Sequence, residues 1–470
     1  MKKTEKLKKK LCYQRKNFWK ESSEKEKKNA FDFSEGYKDF LNKGKSVRES
    51  VNYFEAELLK KGYQNLDKKA NGNKIFRISK NKNAAIAILG KKPIMEGVNI
   101  VASHIDSPRV DLKQNPLFED GETNLGLLRT HYYGGIKKYQ WMSTPLAIHG
   151  VFVKKNGEVL NVSIGEDENE PVFVMPDLLP HLARKEQYTK KIGEAITADS
   201  MNVIFNSIPY IEDEETKEVV KLNALILLNE KYGITEEDFL VAELELVPAG
   251  KARDSGLDKS FVLGYGQDDR ICAYASAQAI FDAGTPEKTA IVYLTDKEEI
   301  GSEGNTGAKS IFIIDFIADL LKYNNESSDS LSLRKTLINS QILSADVNAA
   351  INPNYPNVHE KENAVHLGFG VSITKYTGSG GKRASNDANA EFNAKIIKIL
   401  NKENVNWQTG TLGKVDEGGG GTIAKFLAQH GAEVIDCGPG ILGMHALYEL
   451  ASKADIYSSY KAYKAFFEKA

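Results

Sequence analysis

Short apolar runs alternate with helical segments on both sides of a different middle region, and this alternation restricts the fold more than any other feature. Five runs are strand candidates: residues 84–90, 98–103, 289–295, 341–346 and 432–437. Helix candidates between the later runs include residues 271–283 and 311–323. Strands that alternate with helices predict an α/β domain with a mostly parallel central sheet and flanking helices.

The middle of the chain has another pattern. Segments of alternating polar and apolar residues lie at 146–154, 158–164, 201–205 and 219–229. Turn sequences such as Lys155-Asn156-Gly157 separate them, which is typical of antiparallel strands. We therefore predict an α/β catalytic domain made of residues 1–114 and 251–470, interrupted by a β-rich, barrel-like domain at 115–250. The first 85 residues are predicted to be mainly helical and polar.

The composition excludes several classes of protein. Of the 470 residues, 41% are hydrophobic and 27% are charged, as in soluble globular proteins. A net charge of −1 argues against a nucleic-acid partner. No run approaches the roughly 18 apolar residues of a membrane span. The three scattered cysteines and the absence of an apolar stretch after the basic N-terminus favour a cytoplasmic location.

Metal-ligating residue types end several of the strand and loop segments. They are His104, Asp268, Glu298, Glu299, Asp346 and His445. Open α/β sheets bind ligands at the carboxyl ends of their strands, so residues far apart in sequence would meet at one edge. Nitrogen and oxygen ligands of this kind suit two zinc-like ions that share a carboxylate.

The simplest division makes Asp268 the bridge, because it lies in a glycine-containing loop just before a helix. One ion would then have His104, Asp268 and Asp346 as ligands. The other ion would have Asp268, Glu299 and His445. Two divalent ions per chain are therefore predicted, with zinc as the first choice and manganese or cobalt as alternatives.

Two further residues receive catalytic roles. Glu298 is left outside the ligand sets and is predicted to be the general base. Asp106, two residues after His104, is predicted to orient that imidazole. Each motif alone has a simpler interpretation, since the Glu298-Glu299 pair also fits a solvated turn. The glycine-rich stretch 417–422 can either bind substrate through backbone N–H groups or be a flexible connector.

Several motifs between about residue 100 and residue 450 occur together. They are Ser103-His104-Ile105-Asp106-Ser107-Pro108-Arg109, Thr130-His131-Tyr132-Tyr133-Gly134-Gly135, Leu179-Pro180-His181-Leu182-Ala183, Gly266-Gln267-Asp268-Asp269, Lys297-Glu298-Glu299-Ile300-Gly301-Ser302, Ser344-Ala345-Asp346-Val347, Ala384-Ser385-Asn386-Asp387 and Gly443-Met444-His445. In these motifs the chain resembles the aspartyl aminopeptidase and vacuolar aminopeptidase I family of dizinc metallopeptidases.

The resemblance implies an α/β catalytic domain of the dizinc exopeptidase type with an inserted oligomerisation domain. It implies an aminopeptidase that acts on peptides with a free N-terminus and that self-associates, with a homododecamer as the expected assembly. It carries the five ligand roles and the base role onto the residues already named. It also assigns His181 to the active site of a neighbouring subunit.

The resemblance implies less about the substrate pocket. Lys375 matches the lysine associated with a preference for N-terminal Asp or Glu, but the glycine-rich segment 375–384 departs from the family pattern. Lys382 and Arg383 are nearby alternatives, and both an acidic and a broader preference stay open. Gly420 and Met444 complete the predicted substrate-binding residues. Asp269 also stands where the best-known members have asparagine.

The predicted reaction is attack on the first peptide carbonyl by a hydroxide that bridges the two metal ions. Glu298 would take up the proton and pass it to the leaving nitrogen, and His181 would stabilise the oxyanion. Another dizinc hydrolase on the same fold, such as a deacylase or carboxypeptidase, is the alternative enzyme. A non-catalytic structural assembly is the alternative outside enzymes.

Overall fold

A computed structural model describes residues 3–211, 216–378 and 380–470. The helices of these residues are α1 (Lys3–Leu11), α2 (Phe18–Glu21), α3 (Glu24–Lys43), α4 (Val47–Lys60), α5 (Pro180–Glu186), α6 (Ile192–Ala195), α7 (Val219–Tyr232), α8 (Gln267–Asp282), α9 (Phe312–Tyr323), α10 (Ser330–Ile338), α11 (Ala390–Lys402), α12 (Ala424–Ala428) and α13 (Lys453–Lys469). The strands are β1 (Gln64–Asn65), β2 (Lys74–Ser79), β3 (Asn83–Ile88), β4 (Asn99–His104), β5 (Arg109–Asp120), β6 (Leu125–Tyr133), β7 (Leu146–Val153), β8 (Val159–Ile164), β9 (Val203–Asn206), β10 (Glu243–Pro248), β11 (Arg253–Ser255), β12 (Phe261–Gly264), β13 (Ala290–Thr295), β14 (Gln341–Ser344), β15 (Asn348–Ala349), β16 (Val371–Thr374), β17 (Trp407–Thr409), β18 (Glu433–Gly438), β19 (Gly440–Leu442) and β20 (Glu449–Ser452).

The largest sheet has the strand order β1-β2-β3-β13-β4-β14-β18-β16-β17. Its centre is parallel, because β4 pairs in parallel with both β13 and β14, and β14 pairs in parallel with β18. The carboxyl ends of these four strands therefore meet at one edge. The predicted α/β class with a mostly parallel central sheet is confirmed.

Helices cover both faces of this sheet because its central strands are apolar on both sides. Every residue of β3, β4 and β13 is buried. Alternate side chains enter two hydrophobic cores: Ile86 and Val292 face the core under α3, α4, α8, α11 and α13. Ala87 and Ile291 face the core under α9, α10 and α12. The result is a three-layer arrangement that fixes the strand ends in place.

A second sheet is built from the middle of the chain, with the order β8-β7-β10-β5-β6-β9 and antiparallel pairing throughout. Its edge strands β8 and β9 do not pair with each other in the described residues, so the sheet is not a closed barrel. Isolated bridges from Phe173 to Leu146 and from Val174 to Ile204 cross from β7 to β9 and give it a curled, partly barrel-like form. This sheet begins at Arg109, before the predicted boundary at 114, and the division into domains stays a proposal.

The prediction of a strand at 219–229 was wrong, because α7 occupies this segment. Val220 and Ala224 are buried four residues apart, and Leu228 packs against the core that contains Ala224, which is the spacing of a helix rather than a strand. Glu119, about a hundred residues earlier, accepts hydrogen bonds from the backbone N–H groups of Val220 and Lys221 at 2.9 and 3.0 Å. That distant carboxylate satisfies the first turn of the helix, and no local motif could have predicted it.

The prediction of a mainly helical segment to residue 85 was also too broad. Helices α1 to α4 end at Lys60, and β1, β2 and the start of β3 follow before residue 85. Apolar residues at helical spacing extend only over residues 53–63 of this segment. None of the helices in the described ranges is long and apolar enough to cross a membrane.

A third, five-stranded sheet has the order β11-β12-β20-β19-β15. In it, β20 pairs antiparallel with β12, and Gly264 lies opposite Glu449. The chain leaves β12 just before Asp268 and leaves β19 just before His445. This small sheet therefore brings those two residues towards each other.

A buried ionic network joins the second sheet to α4. His149 on β7 is 2% exposed, and its ring nitrogens lie 2.8 Å from a carboxylate oxygen of Glu49 and 3.0 Å from one of Glu166. The ammonium of Lys45 lies 2.5 Å from the same Glu166 oxygen. Burial favours the neutral imidazole, but the two carboxylates outweigh it and raise the pKa of His149 to about 9.

This network predicts a pH-dependent contribution to stability. Because the pKa of His149 is higher in the folded chain than the usual value near 6.5, its contribution is complete below about pH 6.5. It declines as the pH rises towards 9, where the folded protein also loses the proton. We expect His149→Gln to cost on the order of 3 kcal/mol at pH 6 and far less at pH 9.5. Thermal unfolding of both proteins across this range is the measurement, and an equal difference in Tm at every pH would contradict the assignment.

Candidate metal centre

The carboxyl edge of the large sheet carries four of the predicted site residues. His104 is the last residue of β4 and pairs with Thr295 at the end of β13. Glu298 and Glu299 begin a short 3-10 turn just beyond Thr295. Asp346 follows β14, whose last residue, Ser344, is level with Ala102. The parallel register therefore places these side chains at the same height.

Asp268 and His445 reach this edge from the third sheet. Asp268 lies in the first turn of α8 but has a non-helical backbone, with φ −81° and ψ 110°. His445 lies in the turn between β19 and β20 with a φ of 64°, in the left-handed region that non-glycine residues seldom adopt. Both backbones are bent in a way that points the side chains at the sheet edge.

The two oxygens of Asp268 face different histidines. Oδ1 lies 3.2 Å from Nε2 of His104, and Oδ2 lies 3.3 Å from Nε2 of His445. Asp346 Oδ1 is 3.9 Å from Nε2 of His104, and Glu299 Oε2 is 3.4 Å from Nε2 of His445. Two triads that share Asp268 result, and in each triad the candidate ligand atoms lie within 4.8 Å of one another.

Both histidines are held through their other ring nitrogen. Nδ1 of His104 lies 3.0 Å from the backbone oxygen of Asp106 and 3.2 Å from its Oδ1. Nδ1 of His445 lies 2.9 Å from the backbone oxygen of Gly135, just after β6. In each case Nε2 is left to face the carboxylates, which is the arrangement that metal-binding histidines need.

Close packing of buried carboxylates and imidazoles shifts the pKa of each group in the cluster. Burial, with the charge of Asp268 adding to it, raises the pKa of Glu299 and of Asp346 well above the usual range. For the histidines burial acts in the opposite direction, but the nearby carboxylates raise the pKa of His104 well above 6.5 and that of His445 to about 10. The carboxylates of the site therefore stabilise positive charge placed beside them.

The residues present fit divalent cations. Oε1 of Glu299 is buried and has no hydrogen-bond partner among the described residues, and the imidazole of His104 lies 3.2 Å from the buried Oδ1 of Asp268. A buried carboxylate oxygen without a partner is costly, and a cation would satisfy it. Imidazole nitrogens and carboxylate oxygens without cysteine form the donor set of many catalytic zinc sites.

Glu298 lies against this cluster. Its candidate ligand atom groups with those of His104 and Glu299, and its backbone N–H donates to Oδ1 of Asp106 at 3.1 Å. Burial, together with the negative charge of Asp106, raises the pKa of Glu298 to about 7. A carboxylate with this pKa can accept and release a proton near neutrality.

Other predicted site residues lie apart from the cluster. His181 is exposed on α5. Lys375 follows β16, whose last residue, Thr374, pairs with Asp436 of β18. Asp436 pairs with Ser344 of β14, which pairs with Ala102 of β4, so the end of β16 is level with a residue that precedes His104. No contact recorded for the described part of the chain joins Lys375 to the ligands. The roles of His181 and Lys375 stay predictions.

Two more predicted substrate-binding residues lie in loops. Gly420 is in an open stretch before α12, where an added Cβ would meet no atom within 4 Å. Met444 directly precedes His445 and packs against the large core while remaining half-buried. Their proposed contacts with substrate also stay predictions.

Sequence reasoning missed two residues that support the ligands. The hydroxyl of Tyr133 donates to Oδ2 of Asp106 at 2.9 Å, and Glu449 accepts hydrogen bonds from the backbone N–H groups of Asp268 and His445. Tyr133 belonged to a matched motif without an assigned role. Glu449 had only one local signal, its position four residues after His445.

The chain is similar to known aminopeptidases along nearly its whole length. Residues 40–467 match the family model of the aminopeptidase I zinc metalloproteases (M18). The probable M18 family aminopeptidase 1 of Clostridium acetobutylicum is 50% identical over 463 residues, 97% of this chain and 98% of the relative. The crystal structure of an M18 family aminopeptidase from Thermotoga maritima has a TM-score of 0.93 at 45% identity and covers 97% of this chain and 100% of that one. The S. cerevisiae mApe1 dodecamer has a TM-score of 0.72 at 24% identity, covers 93% of this chain and 96% of that one, and shares the fold.

The shared position of Asp268 predicts different metal contents for two variants. We expect the unaltered protein to bind two ions per chain, His445→Ala to bind one, and Asp268→Asn to bind both more weakly. Elemental analysis after equilibration with zinc and dialysis measures these contents. His430→Ala is the control, because His430 lies outside the cluster beside Gln429. Two tightly held ions in His445→Ala would contradict the division of ligands.

Proposed function

The chain belongs to the M18 family of aminopeptidase I zinc metalloproteases, and from that membership we propose how its buried cluster removes the N-terminal residue of a peptide. The protein is therefore a hydrolase, and the resemblance found in its motifs is confirmed. The observation that carries the mechanism is the position of Asp268, whose two oxygens each face one histidine.

We assign the five ligands to two zinc ions. His104, Asp268 and Asp346 would hold one ion, and Asp268, Glu299 and His445 the other. When bound, the ions would activate a water molecule and polarise the scissile carbonyl. Their charges would also balance the buried carboxylates, whose pKa values are raised in the protein alone.

Glu298 is the proposed proton carrier. It takes a proton from the attacking water and delivers it to the leaving amine nitrogen. Its backbone N–H bond to Asp106 supports this role, because Asp106 also lies against His104. The carboxylate of Asp106 therefore holds both the backbone of Glu298 and the imidazole of His104.

Removal of the proton carrier tests this assignment. We expect Glu298→Gln to keep its zinc content and fold while kcat falls by about 10²–10⁴-fold, since an amide cannot accept the proton. Steady-state kinetics with parallel metal analysis is the measurement. Glu303→Gln, an exposed neighbour in the following loop, should behave like the unaltered protein. Near-normal turnover by Glu298→Gln would remove it from this role.

Self-association is the second part of the proposal. The segment around α5 and α6 exposes a series of apolar side chains: Leu178, Leu179, Leu182, Tyr188 and Ile192. Exposed apolar clusters of this kind mark protein–protein contacts. A dodecamer, the assembly of the S. cerevisiae mApe1 structure, is the one that we propose. In it, His181 of the partner subunit would donate a hydrogen bond to the oxyanion.

A variant of this histidine separates assembly from catalysis. We expect His181→Ala to assemble normally, as judged by light scattering, while kcat falls by about 10²–10³-fold through loss of the oxyanion contact. Arg184→Ala, on an exposed position of the same helix, should keep both properties. An unchanged rate in assembled His181→Ala would show that this side chain is outside the site.

We propose a preference broader than acidic N-terminal residues. Asp387 lies 2.9 Å from Lys382 and 3.9 Å from Lys375, so an acidic substrate side chain would compete with a carboxylate already present. Lys382 also lies over the ring of Tyr376. Both cations therefore have partners within the chain, which supports recognition of neutral side chains.

A panel of substrates tests the activity and this preference together. We expect leucyl and alanyl p-nitroanilides to be cleaved at least as fast as aspartyl and glutamyl ones, and N-acetylated versions to be inert. Chelation should abolish all turnover, and zinc should restore it. Acidic substrates favoured by more than about tenfold in kcat/KM would overturn the proposed preference. Release of acetate from the acetylated substrates would favour the deacylase alternative.

A further inference from the structure

We infer that Glu449 is a positioning residue that fixes the bridging Asp268 and His445 for the metal ion they share. Glu449 belongs to neither ligand triad. The inference rests on the proposed metal site. It extends that site to a carboxylate that acts on the backbone of two ligands.

Both oxygens of Glu449 are used. Oε2 accepts the backbone N–H of Asp268 at 3.0 Å, and Oε1 accepts the backbone N–H of His445 at 2.7 Å. The side chain is buried, with 1% of its surface exposed, so water does not compete for these bonds.

The two backbones need such a partner. His445 has a φ of 64°, which is unfavourable for a residue with a side chain, and its N–H is held by Glu449. Asp268 departs from helical angles at the start of α8, where N–H groups have no partner within the helix. One carboxylate thus stabilises two unusual conformations that aim ligands at the same point.

Glu449 is itself held rigidly. It begins β20, and its pairing with Gly264 of β12 fixes its position along the third sheet. The side-chain amide of Gln267 donates to the backbone oxygens of Glu449 and Val262. Because Gln267 directly precedes Asp268, Glu449 is connected to the bridging ligand twice: through the Gln267 amide and through its own carboxylate.

The experiment compares Glu449→Gln with a matched buried carboxylate. The amide has nearly the same size but offers one acceptor oxygen, so one of the two N–H groups must lose its partner. Asp455→Asn is the control, because Asp455 is fully buried and accepts the backbone N–H groups of Gly368 and Gly370 with its two oxygens. Both variants should lower Tm, since each removes a buried hydrogen bond.

Metal binding distinguishes positioning from general stability. Titration of the metal-free full chain with Co²⁺, followed by visible absorption, should show two equivalents for the unaltered protein and for Asp455→Asn. For Glu449→Gln we expect the equivalent that His445 would hold to weaken by about 10–100-fold, and the other equivalent, which shares only Asp268 with it, to weaken less, with turnover partly restored by excess metal. Glu449→Asp, which keeps the charge but cannot reach both N–H groups, should weaken the same equivalent and serves if the amide variant does not fold.

Two results would overturn the inference. One is unchanged Co²⁺ affinity in the Glu449 variants, and the other is an equal loss of affinity in Asp455→Asn, which would mean that lower stability alone weakens the site. An unaltered protein that binds no Co²⁺ would instead contradict the proposed function. The two failures are therefore distinguishable in one titration.

Discussion

The carboxylate of Asp268, buried between two histidines, is the interaction on which the rest of the site depends. Its two oxygens face His104 and His445, which belong to different sheets. Glu299 and Asp346 crowd the same buried space, where burial and the charge of Asp268 raise their pKa values. Such a cluster is costly in a fold that excludes water, unless cations occupy it. Bound zinc ions, which the family implies, would therefore also offset the cost of burying these carboxylates.

The supports of this cluster come from every sheet of the molecule. The large sheet aligns His104 with the loops after β13 and β14. The third sheet brings in Asp268 and His445, and Glu449 ties their backbones together. The second sheet contributes through the end of β6, where the Tyr133 hydroxyl donates to Asp106. In the segment that follows β6, the backbone oxygen of Gly135 contacts Nδ1 of His445. The second sheet is thus physically connected to both histidines, whatever its role in assembly.

The sequence was informative where a side chain follows a buried strand, because parallel strands present their ends at one edge. This rule predicted that His104, Glu298, Glu299 and Asp346 would meet. Metal-ligating residue types in two loop segments added Asp268 and His445, and the family resemblance then agreed with the set. The rule could not predict Glu449 or Tyr133, because neither follows a strand of the large sheet and each acts by holding a ligand or its neighbour in place. The strand expected at 219–229 failed for a similar reason, since Glu119 satisfies the start of α7 from a distant strand. Contacts that form only in the folded chain are not indicated by local sequence patterns.

The most direct test of the shared carboxylate is anomalous diffraction at the zinc edge from crystals of the zinc-loaded protein. The account predicts two peaks about 3.5–4 Å apart. One should lie near His104 and Asp346, the other near Glu299 and His445, and each within roughly 2.0–2.2 Å of a different oxygen of Asp268. A single peak, or two peaks of which only one contacts Asp268, would contradict it.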